Sequence, residues 1–172
     1  MENIMNTSYN LTITNEINTH FENILNSINT TNNVDTISQA RKNFVKLKAT
    51  KTNPYVLKHI DDLEKMLQMF EDKQWSLSEL SQSDRHYILS ACQYLIQEDD
   101  VIPDNIPNIG LLDDCIIIDI ASNKIKKQLN NYHDFKHTKA VYSKDEEFNV
   151  NDWRKTKQQE KFSRIRNRRN KR

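Results

Sequence analysis

The sequence predicts an all-α protein: a single helical domain of five or six helices followed by a basic C-terminal arm. Three observations carry that prediction. Apolar residues recur at spacings of three and four along most of the chain, the period of one helix face. No pair of neighbouring segments alternates apolar and polar residues as partner strands would. The residues that break helices are concentrated, with the single glycine and two of the three prolines falling between Asp100 and Asp114.

The elements follow in order. Residues 1–10 are polar, rich in Asn and Thr, and predict a flexible N-terminus. Ile13, Ile17, Phe21, Ile24 and Ile28 lie on one helical face and define a first helix. Its other face is Asn, Thr and Glu, of modest helix propensity, so it depends on tertiary packing. After the break Thr30-Thr31-Asn32-Asn33, the residues Val34, Ile37, Ala40, Phe44 and Leu47 outline a second helix. Its outer face is basic, with Arg41, Lys42, Lys46 and Lys48. Asn53-Pro54 supplies a good N-cap and a proline at the first helical position. Leu57, Ile60, Leu63, Leu67 and Phe70 then form the stripe of a third helix, widened by Met66 and Met69 and backed by Asp61, Asp62, Glu64, Glu71 and Asp72.

Ser76-Leu77-Ser78-Glu79 has the form of a capping box opening a short turn through Leu80, and Ser83 with Asp84 suits the start of a fourth helix. That helix carries Tyr87, Ile88, Ala91, Cys92, Leu95 and Ile96 and ends near Gln97. Next comes a turned connection, because Ile102 and Ile106 each precede a proline and are pushed out of the helical region. Pro103, Asp104, Pro107, Gly110, Asp113 and Asp114 form this structural elbow. Beyond it, Leu111 to Leu129 is apolar again. The β-branched run Ile116-Ile117-Ile118 would suit a strand, but Asp113 and Asp114 fit a helix first turn, and Lys124, Lys126 and Lys127 fit its end. A fifth helix is therefore expected, continuing to about Lys139. The fourth and fifth helices should pack as a central pair across the elbow, covered by the N-terminal helices. The domain is expected over residues 11–140, with a linker and arm over 141–172.

Charge is unevenly divided. Residues 151–172 hold 10 Lys and Arg against 2 Asp and Glu, or +8, so the remainder carries −7 in a chain of net +1. A basic tail on an acidic body points to an anionic partner. Within it lie Trp153, Arg154, Lys155, Lys157, Lys161, Phe162, Arg164, Arg166, Arg168, Arg169, Lys171 and Arg172, the residues expected to contact nucleic acid. Arginine pairs bidentately with phosphate, aromatic rings stack on bases, and Arg-rich segments can order on RNA. RNA or a ribonucleoprotein is favoured over DNA. The competing readings are a protein–protein adaptor or homo-oligomer, with the arm docked on an acidic helical surface such as that of the third helix, and an anionic membrane surface.

Catalytic signals are weaker. Asp100, Asp104, Asp113 and Asp114 could offer oxygen ligands to Mg²⁺ or Ca²⁺, yet their spacing is not that of a Ca²⁺ loop, and aspartates at turns cap helices. His133 and His137 lie four apart without the adjacent Glu or third ligand of a zinc protease. One glycine permits no Gly-rich phosphate loop. Ser90 and Cys92 near His86 make no nucleophile constellation, and His20 and His59 stand alone as structural or exposed residues. Cys92 and Cys115 read as buried thiols of a reducing compartment. No catalytic residue, metal or cofactor is expected. No apolar run approaches the length of a membrane span, and no signal peptide is recognisable, so a cytoplasmic location is expected.

From about Arg85 to Leu129 the chain resembles the YkvA-like family, a bacterial family of unknown function. The resemblance rests on Tyr94-Leu95-Ile96, Asp100-Val101-Ile102-Pro103-Asp104, Ile106-Pro107, Gly110 and Leu112-Asp113-Asp114. Many members have proline shortly before the first aspartate, where this chain has Glu98-Asp99. The resemblance implies an all-helical fold organised on the elbow. It implies no activity.

Overall fold

The computed structural model describes residues 12–30, 33–49, 54–97, 101, 102, 106, 109–142 and 148–169. Eight helices and no strand occur among them: α1 Asn15–Ser27, α2 Asn33–Ala49, α3 Pro54–Glu71, α4 Lys73–Glu79, α5 Gln82–Leu95, α6 Leu112–Lys124, α7 Lys126–Tyr142 and α8 Val150–Arg169. The all-α expectation holds, but the number of helices exceeds the five or six read from the sequence. The expected flexible stretch 1–10, the Asn53 cap, the elbow residues Pro103, Asp104 and Pro107, and Asp100 lie outside the described residues.

The extra helices have local causes. Asp72, read from sequence as part of the acidic side of the third helix, is the N-cap of α4, accepting from the backbone N–H of Gln74 at 3.1 Å and of Trp75 at 3.3 Å. This early cap puts Ser76 inside α4, so no capping box forms at Ser76–Glu79. The box forms instead between Ser81 and Asp84: the Asp84 N–H donates to Ser81 Oγ at 3.1 Å, and the Ser81 N–H donates to Asp84 Oδ2 at 2.9 Å. Ser81, not Ser83, therefore starts α5. Between α6 and α7 the helix is interrupted at Ile125, the C-cap residue, whose backbone N–H donates to Ala121 O and Asn123 O while its side chain is buried. Pro54 opens α3 as expected.

α5 and α6 make the most extensive helix pair, with α3 and α1 also on α6 and α2 on α5. α6 is thus covered on several sides. Cys115, Ile116, Ile117, Ile118, Ile120 and Ala121 are all buried. An all-round apolar helix belongs in the centre of a fold, which is why the isoleucine run, strand-like in propensity, is helical here. The same core takes in Phe21 and Leu25 of α1, Ile88 and Leu95 of α5, and, through α5, Ile37, Ala40 and Phe44 of α2. In α3 the buried residues are Val56, His59, Ile60, Leu63, Met66, Leu67 and Met69, while Leu57 is exposed. The buried face is rotated from the predicted stripe because α3 meets both α6 and the α4–α7 side of the molecule.

Aromatic rings mark that second side. Trp75 of α4 lies against Tyr132 at 5.5 Å and Phe135 at 5.3 Å, both on α7, and against Trp153 of α8 at 5.1 Å. Tyr132 ties the group back to α3, its hydroxyl donating towards Gln68 O at 3.3 Å or Asp72 Oδ2 at 3.2 Å. Aromatic clusters of this kind bury large apolar area with specific geometry.

Candidate nucleic-acid interface

α8 begins with its own reciprocal cap. Asn149 Oδ1 accepts from the Asn151 N–H at 2.9 Å, and Asp152 Oδ2 accepts from the Asn149 N–H at 3.2 Å. Val150 and Trp153, one turn apart, turn inward and are buried. Trp153 is 7% exposed, meets Trp75 edge to face, and donates its indole N–H to Asp134 at 2.6 Å. One turn later Lys157 reaches the same carboxylate at 2.9 Å and also Glu160 at 3.3 Å. Arg154 pairs with Glu79 and donates to Ser78 O at 3.2 Å. Lys155 pairs with Asp152 at 3.4 Å.

These contacts set the local electrostatics. Burial works to raise the Asp134 carboxyl, but the Lys157 and Trp153 hydrogen bonds outweigh it and hold the group below its ordinary value. Lys157 is raised, chiefly by its hydrogen bond to Asp134, with burial opposing. Trp153, Arg154 and Lys157, expected to face nucleic acid, are thus engaged with the body through α4 and α7. Trp153 is a core residue, not a stacking platform. Val150 and Trp153 at helical spacing behind an Asn cap carried that signal in the sequence.

The second half of α8 differs. Lys161, Phe162, Arg164, Ile165, Arg166 and Arg168 are all exposed, Phe162 by 59% and Ile165 by 40%. A shallow groove runs along this helix between Lys157, Glu160, Lys161, Arg164, Ile165 and Arg168. Among the described residues, the ion pair of these distal cations is Arg164 with Glu160 at 3.9 Å. The stripe that docks Trp153 and Lys157 in the first turns therefore continues as Lys161, Arg164 and Arg168 beyond the body. Arg169 ends α8, its side chain outside the described residues, as are Lys171 and Arg172.

The aspartates read as metal candidates separate into two sets. Asp100 and Asp104 lie outside the described residues. Asp113 and Asp114 occupy the first turn of α6 and are buried. Asp113 Oδ2 accepts from the Tyr94 hydroxyl at 2.9 Å and from the Ile102 N–H at 2.9 Å, and the Tyr94 oxygen accepts from the Val101 N–H at 3.3 Å. Burial raises the Tyr94 hydroxyl, which keeps it a donor. One carboxylate thus fastens α5, α6 and the start of the connection. The turn before α6 is closed by the Gly110 N–H to Ile106 O at 3.0 Å and the Leu112 N–H to Ile109 O at 3.0 Å. Among the described residues no group of three or more His, Cys, Asp or Glu is arranged to hold a metal ion.

Other candidates resolve simply. His133 and His137 are exposed, with Asp134 between them turned to Trp153 and Lys157. Ser90 Oγ lies 3.5 Å from His86 Nε2, but Ser90 is fully buried and unavailable to a substrate. Cys92 and Cys115 are free, and burial pushes both thiols up to about 12, far from reactive thiolates. No helix among the described residues is long and apolar enough to cross a membrane.

A family model described as protein of unknown function (DUF1232) matches residues 85–118, from the first turns of α5, through the Tyr94–Asp113 fastening, to the middle of α6. No curated protein and no solved structure matches the chain. What the family model covers is the helix pair at the centre of the fold. α8 lies outside the match.

Proposed function

We propose that the protein is a non-enzymatic nucleic-acid-binding protein whose distal α8 contacts the phosphate backbone of RNA or a ribonucleoprotein. The reading is that of a YkvA-like relative working in the bacterial cytoplasm. The observation that supports it is the exposed cationic stripe Lys161, Arg164 and Arg168, flanked by Arg166, on a helix whose other end is anchored in the body. A held helix presents its charges without first ordering a free tail, so binding loses less conformational entropy.

The test is RNA binding at low salt by the full chain and by the variant Lys161→Gln, Arg164→Gln, Arg166→Gln, Arg168→Gln. Affinity should fall at least tenfold, and the salt dependence should flatten, because each phosphate contact contributes about −0.7 to −0.9 to the slope of log K against log salt. Equal affinity and slope for the two proteins would end the proposal.

Phe162 and Ile165 favour a second reading, in which the same half-helix docks on an acidic protein surface, of another protein or a second copy. A partner retained after nuclease treatment, and lost on Phe162→Ser with Ile165→Ser, would select it.

A further inference from the structure

His59 is 1% exposed, and among the described residues neither ring nitrogen has a hydrogen-bond partner. Buried polar groups are nearly always paired, so a ring with both nitrogens unmet stands out. Tyr55, one turn earlier on α3, meets it edge to face at 4.5 Å. The charges acting on it are Asp119 of α6 and, on its own helix, Lys58 and Asp62. Tyr55, itself exposed, feels Cys115 and Asp119 of α6, so it caps the edge of the α3–α6 seam in which His59 is buried.

A neutral imidazole here leaves one N–H and one lone pair unmet. An imidazolium would leave two N–H groups and a full charge, with no carboxylate among the described residues within bonding distance to receive them. Burial accordingly holds the ring below its ordinary value, with Asp119 opposing and Lys58 adding to the effect. Protonation is therefore coupled to opening, since only an opened seam lets water reach both nitrogens.

We infer that the α3–α6 seam is an acid-labile joint in which proton uptake by His59 releases α3. The release would reach both sides of the molecule. α3 packs on α6, which carries the Asp113 fastening, and it also accepts Tyr132 of the aromatic cluster that seats α8.

The sign follows from the lowered folded value. The unfolded chain binds the proton more readily, so the stabilisation is complete above about pH 6.5 and falls as pH drops below it, by up to about tenfold in the folding constant per pH unit. The other four histidines are exposed or half-buried. The experiment compares denaturant unfolding of the full chain at pH 7.5 and 5.5 with that of His59→Leu, alongside an NMR titration of the wild-type imidazoles and amide exchange at both pH values. The folding constant of the wild type should drop about tenfold more than that of the variant. The His59 ring should stay neutral as pH falls through about 6.5, and α3 and α6 amides should exchange faster at pH 5.5. A His59 ring that titrates near 6.5 in a protected seam, or an identical pH dependence in the variant, would overturn the inference. The NMR result stands even if His59→Leu fails to fold.

Discussion

The two halves of α8 are similar in sequence and opposite in circumstance. Val150–Glu160 contains Arg154, Lys155 and Lys157, and all three have carboxylate partners. The next eight residues contain Lys161, Arg164, Arg166 and Arg168, which stand exposed and weakly paired at most. Counting cations over 151–172 treats these as one field. The fold divides them into charges that hold the helix and charges that the helix holds out. The difference lies in what is nearby: Trp153 brings the first half against Asp134 and Glu79, and the body ends before the second half.

The largest expected effect breaks the seat itself. Trp153→Ala should cost about 3–5 kcal/mol, the usual range for emptying a buried Trp site, whereas Phe162→Ala should stay within about 0.5 kcal/mol as an exposed position. Denaturant midpoints for the two variants check the contrast, and equal losses would mean that both halves are packed.

Neutralising Lys161, Arg164, Arg166 and Arg168 together should leave the midpoint within about 0.5 kcal/mol while lowering RNA affinity by about 1.4 kcal/mol or more, a tenfold change. A large loss of stability would show that the distal half has contacts in the body. Asp134→Asn removes the negative charge that Lys157 pairs with and one of the two carboxylate oxygens that accept from Trp153 and Lys157. Both ion-pair partners are partly exposed, so the loss should be modest, about 0.5–1 kcal/mol. Because the folded Asp134 carboxyl lies below its ordinary value, its contribution is complete above about pH 4 and is lost as pH falls through the folded value. The asparagine variant should therefore lose less stability than wild type on acidification below pH ~4, as read by thermal unfolding. Smallest is Arg154→Gln, whose guanidinium is largely exposed where it pairs with the half-buried Glu79, at about 0.2–0.5 kcal/mol and no change in RNA affinity.

Much of this architecture could be read from periodicity. The stripe of α5, the buried Ile37, Ala40 and Phe44 of α2, the helical nature of the isoleucine run and the break before Asp113 follow from spacing and breaker residues, whereas in α1 the fully buried Leu25 lies off the expected stripe and Ile13 is exposed. Division into eight helices could not, because it turns on which of several competent residues caps first. Asp72 wins over Ser76, and Ser81 over Ser83, through packing of Trp75 and Leu80 that sequence spacing does not encode. Asp113 was legible as a first-turn carboxylate. Its reach across 19 residues to the Tyr94 hydroxyl was not, since no local pattern links them. In α8 the basic composition was plain, and the inward turn of Trp153 was signalled only by its spacing from Val150 behind the Asn149 cap, a local cue that the surrounding cations outweighed.

The Trp75–Trp153 contact also decides what light can report. The chain has two tryptophans, and both sit in this one cluster, 5.1 Å apart. Intrinsic fluorescence is then a local gauge of the α4–α7–α8 seat and is nearly blind to the α1–α6 core. Unfolding followed by fluorescence and by circular dichroism should coincide if the molecule melts as one unit. If α8 lets go first, the emission will shift while most of the helical signal persists, and the gap between the two curves will measure how independently the boom detaches from its hull.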